Sequence, residues 1–127
     1  MTRLILEIGS VQLEAELVEN PIAEAILSAL PISERCQRWG DEIYFPIPVD
    51  MANEGGQDVV ELGDLAYWPP GKALCIFFGP TPASHGDEPR AASAVTVVGK
   101  IVGDLLPLSQ VQSGAEIVIS KNRNKHA

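Results

Sequence analysis

Apolar and polar residues alternate from the start of the chain. In VQLEAELV, Val11, Leu13, Ala15 and Leu17 alternate with Gln12, Glu14, Glu16 and Val18, the two-residue period of a strand with one buried and one largely wet face. RLILEI precedes it across Gly9-Ser10, a tight-turn signal, so the two segments predict an antiparallel hairpin. The period then changes. In NPIAEAILSALP, Ile22, Ala25, Ile26, Ala29 and Leu30 recur at helical spacing along one face. Asn20 is a good N-cap, and Pro21 suits the first helical position, where its missing N–H costs nothing. Pro31 ends the segment, so one main helix is expected from Asn20 to Leu30.

The rest reads as short strands with frequent turns. ISERCQRWGDEIYFPIPV predicts two strands broken at Gly40-Asp41, leaving the sheet where Pro46 and Pro48 remove alternate ladder donors. A loop, DMANEGGQD, leads to VVEL and DLAYW, short strands around Gly63-Asp64, and then to the apolar strand KALCIFF. Pro70-Gly71 fits the centre of a type II turn joining the last two into a hairpin, with the glycine at positive φ. After the long loop GPTPASHGDEPRAAS come AVTVVGKIVG, whose glycine marks a bulge or bend, a helical turn in DLLPLSQV, and a last strand, AEIVIS. There is no internal repeat. The pattern predicts one mainly-β domain over residues 1–120, a sandwich or closed barrel, followed by a basic flexible tail, 121–127.

Composition narrows the function classes. At 127 residues, 46 % apolar and 20 % charged, the chain can bury a core without staples and is not a disordered one. A net charge of −8 with no basic stripe argues against nucleic acid as a partner. Between Trp39 and Gly71 there are seven acidic residues and no Lys or Arg, read as a solvated acidic face. No apolar run approaches the ~20 residues of a membrane span, and Glu7, Glu14 and Glu16 interrupt the N-terminal segment where a signal peptide would be apolar. No membrane partner is expected, and the cytoplasm is the expected compartment. There Cys36 and Cys75 would stay reduced. They share no metal-ligand spacing with His85 or His126, so neither metal nor cofactor is expected. Ser84-His85 is not a catalytic dyad, because neighbouring side chains rarely face one another.

Taken in order, two strands, a helix opening NP and closing ALP, the segment GDLAYWPPGKALCIFFGPTP, and AVTVVGKIVGDL resemble the cyclophilin superfamily. WGDEIYFPIPV with GDLAYWPPGKALCIFFGPTP is similar, more closely, to small bacterial and archaeal cyclophilin-like proteins of unassigned function. The resemblance implies a closed antiparallel barrel of about eight strands with a peptide-binding groove on its outer surface. Ile22, Ile26 and Leu30 would then cover a barrel end, and ALCIFF, apolar on both faces, would serve both interior and groove. The isomerase chemistry of cyclophilins depends on an arginine in a motif close to F-H-R-x-I-P-x-F-x-x-Q-G, and no arginine lies between Arg38 and Arg90 here. Gln57 follows a glycine pair instead of preceding one, and the family's histidine before V-V-F-G-K aligns with Val95. Phe78 stands in for the groove phenylalanine.

The site expected from this is a groove bordered by Tyr44, Trp68, Phe78, Thr81 and His85. Aromatics at strand ends beside proline-rich turns line concave apolar sites, and long loops such as the one holding Thr81 and His85 are commonly functional. Arg35 and Arg38 read as surface ion pairs beside Glu34 and Asp41. The expected function is a non-catalytic binding module for a small apolar molecule or a proline-containing peptide. A divergent prolyl isomerase relying on Arg38 or Arg90 is the second reading. A homo-oligomer whose groove is its interface is the third.

Overall fold

The computed structural model describes residues 2–122. The first hairpin is β1 (Thr2–Ile8) and β2 (Val11–Leu17), turning at Gly9, whose φ of 58° favours glycine. Leu4, Leu6 and Ile8 point inward with Leu13, Ala15 and Leu17, while Arg3 bridges Glu14 and Glu16 on the wet face at 2.9 Å each.

The helix α1 (Pro21–Ala29) begins where the sequence places it. Asn20 Oδ1 accepts the Ala23 N–H at 2.8 Å, and Asn20 Nδ2 donates to the Val97 carbonyl at 3.2 Å. The same side chain therefore caps the helix and ties it to the sheet, while Ile22 and Ile26 face the core. Asn20→Ala is expected to cost about 1–2 kcal/mol, because one orphan helix donor and one sheet acceptor lose their partners together. Asn20→Asp keeps the cap and loses only the second bond. Urea midpoints should rank the parent, Asp and Ala in that order, and an Asp variant no better than Ala would sink the assignment.

After α1 come β3 (Ile32–Arg35), β4 (Gln37–Trp39), β5 (Glu42–Pro46), β6 (Gln57–Val59), β7 (Asp64–Trp68), β8 (Ala73–Phe77), β9 (Arg90–Val102) and β10 (Glu116–Lys121). The order across the sheet is β3-β10-β1-β2-β9-β7-β8-β5-β4, with β6 added against β9. Ten strands form, not eight, and the ladder does not close into a barrel. The reason lies at Cys36. β3 and β4 occupy the two ends of the order, yet only this residue separates them in the chain. Cys36 bonds to Ala115 and Gly114 while the chain changes partner from β10 to β5. The ends of the sheet meet through one covalent segment rather than through a ladder.

Three local expectations are corrected. Pro70-Gly71 is not a type II turn: residues Pro69–Gly71 form a 3-10 turn, and Lys72 instead takes the left-handed conformation at φ 48°. Two successive prolines fix two successive φ values near −65°, which moves the left-handed residue one position on. Gly71 is needed for space, since a Cβ there would lie 2.8 Å from the Trp68 ring. VVEL is not a strand. Pairing ends at Val59, and Glu61 N–H bonds to the Asp64 carboxylate at 2.8 Å to form a turn through Gly63 at φ 88°. The long loop is shorter than expected because β9 starts at Arg90 and pairs in succession with β6, β7 and β2. Gly99 lies where the β7–β9 register shifts.

The helical turn expected in DLLPLSQV spans Leu106–Gln110. Lys121 closes β10 and Asn122 N–H bonds to Arg3. The remainder of the expected basic tail, with His126, lies outside the described residues. No helix among the described residues is long and apolar enough to cross a membrane.

Candidate functional site

β5, β7 and β8 are buried on both faces. Ile43, Phe45, Leu65, Tyr67, Leu74 and Ile76 belong to the interior core. On the opposite face Ala66, Cys75 and Phe77 form a second apolar cluster with Val60, Ala91 and Val95, against which Tyr44 and Trp68 pack. The apolar alternation of ALCIFF on both sides thus has two separate partners, the interior and the outer layer.

Within that outer layer is a cavity of about 260 Å³ lined by Trp39, Glu42, Tyr44, Trp68, Ala91, Ala92 and Val95. Each wall follows from local sequence. Trp39 pairs with Glu42 across the Gly40 turn, and Tyr44 lies two residues along the same strand face. Trp68 ends β7, its indole N–H bonding to Ser93 Oγ at 2.8 Å. The first half of β9 forms the far wall with alanines, whose small side chains leave the space open. The chain has two tryptophans, and both line this cavity.

Glu42 is the only ionisable carboxyl on that lining. It is 5 % exposed, and its Oε1 has no hydrogen-bond partner among the described residues. Burial pushes its pKa up from 4.5 to about 7, partly offset by a hydrogen bond from the Cys75 thiol. The thiol is itself buried and pushed well above its ordinary value by burial and by the neighbouring Glu42. Cys75 is therefore a protonated donor and not a nucleophile.

Tyr44 and Trp68, expected at the groove, come together here. Phe78, Thr81 and His85 are not on the lining. Phe78 packs against the interior core with the Arg38 guanidinium 5.1 Å from its ring centroid. Thr81 is buried and holds its loop, donating from Oγ1 to the Arg90 carbonyl and accepting from Ala83 N–H at 3.2 Å. His85 lies on the outer loop, where its N–H and that of Gly86 bond to Glu88 at 2.7 and 2.8 Å. These bonds, with the Arg90 side chain, hold the Glu88 pKa down at about 2.

Arg38 is committed elsewhere. Its guanidinium donates to the carbonyls of Gly40, Ser109 and Val111 and to the Asp41 carboxylate, all within 3.0 Å. Arg90 Nε bonds to Glu88 at 3.0 Å, and Arg35 reaches the Gly114 carbonyl. None of the three lines the cavity.

Trp39, Glu42, Ala91 and Ala92 line the cavity without being among the residues expected at the groove. The available signal was weak: Glu42 shares a strand face with Tyr44, but a carboxylate at a strand start is ordinarily wet. Val95 is also on the lining.

The fold is a ten-stranded antiparallel sheet with one helix and an aromatic cavity on its outer layer. The family model for cyclophilin-like proteins matches residues 2–120, and the chain belongs to that family. A solved structure that it resembles is the solution structure of a hypothetical protein from Archaeoglobus fulgidus, 46 % identical over 95 % of both chains with a TM-score of 0.82. No curated protein matches the chain.

Proposed function

We propose that this protein is a cyclophilin-like binding module without prolyl isomerase activity. Its ligand, a small apolar molecule or the proline-bearing part of a peptide, sits in the outer-layer cavity against Trp39, Tyr44 and Trp68. The observation that carries this is the lining itself: three aromatic side chains, two alanines and a valine around a single carboxyl. Concave, mostly apolar sites with few polar groups are the usual form of small-ligand sites. The protein acts in the cytoplasm, where its two buried free cysteines stay reduced.

The arginines support the non-catalytic part of the reading. Twisting a prolyl amide faces a barrier of ~18–20 kcal/mol, and each tenfold acceleration takes about 1.4 kcal/mol of selective stabilisation. Directed guanidinium donors are the family's means of supplying it. Arg38 already has four of its N–H donors engaged in the fold. An X-Pro peptide assay is expected to show no acceleration at high protein concentration. A clear acceleration, lost in Arg90→Ala, would overturn the binding-only reading. In parallel, N-acetylproline methylamide and cyclohexanol should each be titrated against tryptophan emission. A saturable change abolished in Trp68→Ala is expected, and an unmoved spectrum with both would remove the cavity as the ligand site.

A further inference from the structure

Glu42 is the one acidic residue on the cavity lining, and no lining residue gives its Oε1 a hydrogen bond. Glu42 Oε1 is buried and unpartnered among the described residues, while the other lining residues are aromatic or aliphatic. We infer that the cavity takes a small organic cation, an amine or quaternary ammonium on a compact apolar body, with Glu42 as its counter-ion and the rings of Trp39, Tyr44 and Trp68 as its walls. This deepens the function proposed above and rests on the cavity being the ligand site.

Three properties favour a cation over other ligands. A carboxylate out of water is costly unless paired, and removing its partner leaves an uncompensated charge. No Lys or Arg lines the cavity to supply that partner. Aromatic faces attract cations through their quadrupoles, most strongly for tryptophan, and more so where water is excluded. An anionic ligand would meet Glu42 and the π-faces together, both repulsive to it. A neutral apolar ligand would fill the space and leave the carboxylate's charge uncompensated.

The groups around Glu42 leave its titration to the ligand. On β8 its titratable neighbour is the Cys75 thiol, which donates to it. Tyr44 shares its strand, β4 contributes Trp39, and β9 contributes Ala91, Ala92 and Val95. The charged residues flanking it in sequence, Arg38 and Asp41, pair with each other at 2.9 Å. Burial holds the empty site's carboxyl partly protonated near neutral pH. A bound cation favours the ionised form, so binding expels that proton and strengthens as pH rises.

Both tryptophans report on the site, so emission titrations with cyclohexylammonium, cyclohexanol and cyclohexanecarboxylate compare charge at one ring size. At about pH 8, cyclohexylammonium is expected to bind at least about tenfold more tightly than cyclohexanol, a difference of about 1.4 kcal/mol or more. Cyclohexanecarboxylate should not bind. Below about pH 7 the affinity for cyclohexylammonium should fall nearly tenfold per pH unit, with no such slope for cyclohexanol. Glu42→Gln should weaken cyclohexylammonium at least about tenfold, and by much more than it changes cyclohexanol. The pH slope of the parent protein tests the proposal without any variant. N-acetyl-trimethyllysine methylamide, titrated alongside, separates a modified side chain from a free amine as the source, and selective binding of either cation supports the proposal. Equal binding of cyclohexanol and both cations, with no pH slope, would overturn the cation and leave the cavity as an apolar site. Binding of none of the probes would overturn both.

Discussion

At about pH 8 the Glu42→Gln variant is expected to be more stable than the parent by about 2–3 kcal/mol, with the gap closing to near zero by about pH 4. The direction follows from which state holds the proton more tightly. Glu42 titrates near 4.5 in the unfolded chain and at about 7 in the folded one. Below 4.5 both states are protonated, and the group is neutral to stability. Between about 4.5 and 7 the folded state keeps a proton that the unfolded state has released, so stability falls as pH rises. Above 7 the whole penalty is present, about 3 kcal/mol at about 1.4 kcal/mol per pH unit. Glutamine has no charge to desolvate, although its amide is imperfectly satisfied in the same place, which trims the gain. Urea unfolding of both proteins at the two pH values checks this, and parallel pH profiles would show that Glu42 is not buried as described. A residue that weakens the empty fold at working pH fits a site kept for a ligand rather than for the core.

The second large effect is expected at Gly99, in β9. A Cβ there would lie 2.4 Å from the Glu16 carbonyl oxygen and 3.3 Å from Leu17 Cα, all backbone of β2. Backbone cannot rotate away as a side chain can, so even alanine must part the two strands or distort β9. Gly99→Ala is expected to cost about 2–3 kcal/mol and Gly99→Val more, in the range of the worst overpacking substitutions. The damage should reach the helix cap, because Asn20 is anchored to Val97 two residues earlier on the same strand. Thermal unfolding decides this. An alanine variant within about 0.5 kcal/mol of the parent would mean that β2 and β9 are less closely apposed.

Features decided by neighbours in sequence were the ones legible beforehand. Asn20-Pro21 announces a helix start because the cap bond spans three residues. The first hairpin is readable because Gly9 and the strict alternation around it are local. At Pro69-Pro70-Gly71 a turn was legible but its type was not, since the second proline changes which residue can turn left-handed. The cavity lining is half legible in the sequence. Tyr44 and Trp68 stand out because aromatic residues beside fixed turns are conspicuous, whereas Glu42 needs knowledge of what covers its strand. Its cover is the start of β9, where Arg90-Ala91-Ala92-Ser93 reads as loop because it is small and polar. Those alanines are small over the cavity for the same reason that they carry little strand signal. Thr81 and His85 fall on a loop whose length suggests function, while their hydrogen bonds run to Arg90 and Glu88 inside the loop's own framework.

The place of β1 between β2 and β10 has a consequence for how the chain assembles. One edge of β1 is satisfied at once by its hairpin partner, but the other waits for residues such as Lys121 and Ser120, which pair with Leu4 and Ile5. Such pairing gives the domain a high contact order, and loop closure over nearly the whole chain makes folding slow for its size. During synthesis the hairpin emerges well before β10 and holds an open strand edge until β10 leaves the ribosome. Arg3 and Glu7 lie along that edge strand, and their charges discourage a second nascent copy from pairing where β10 belongs.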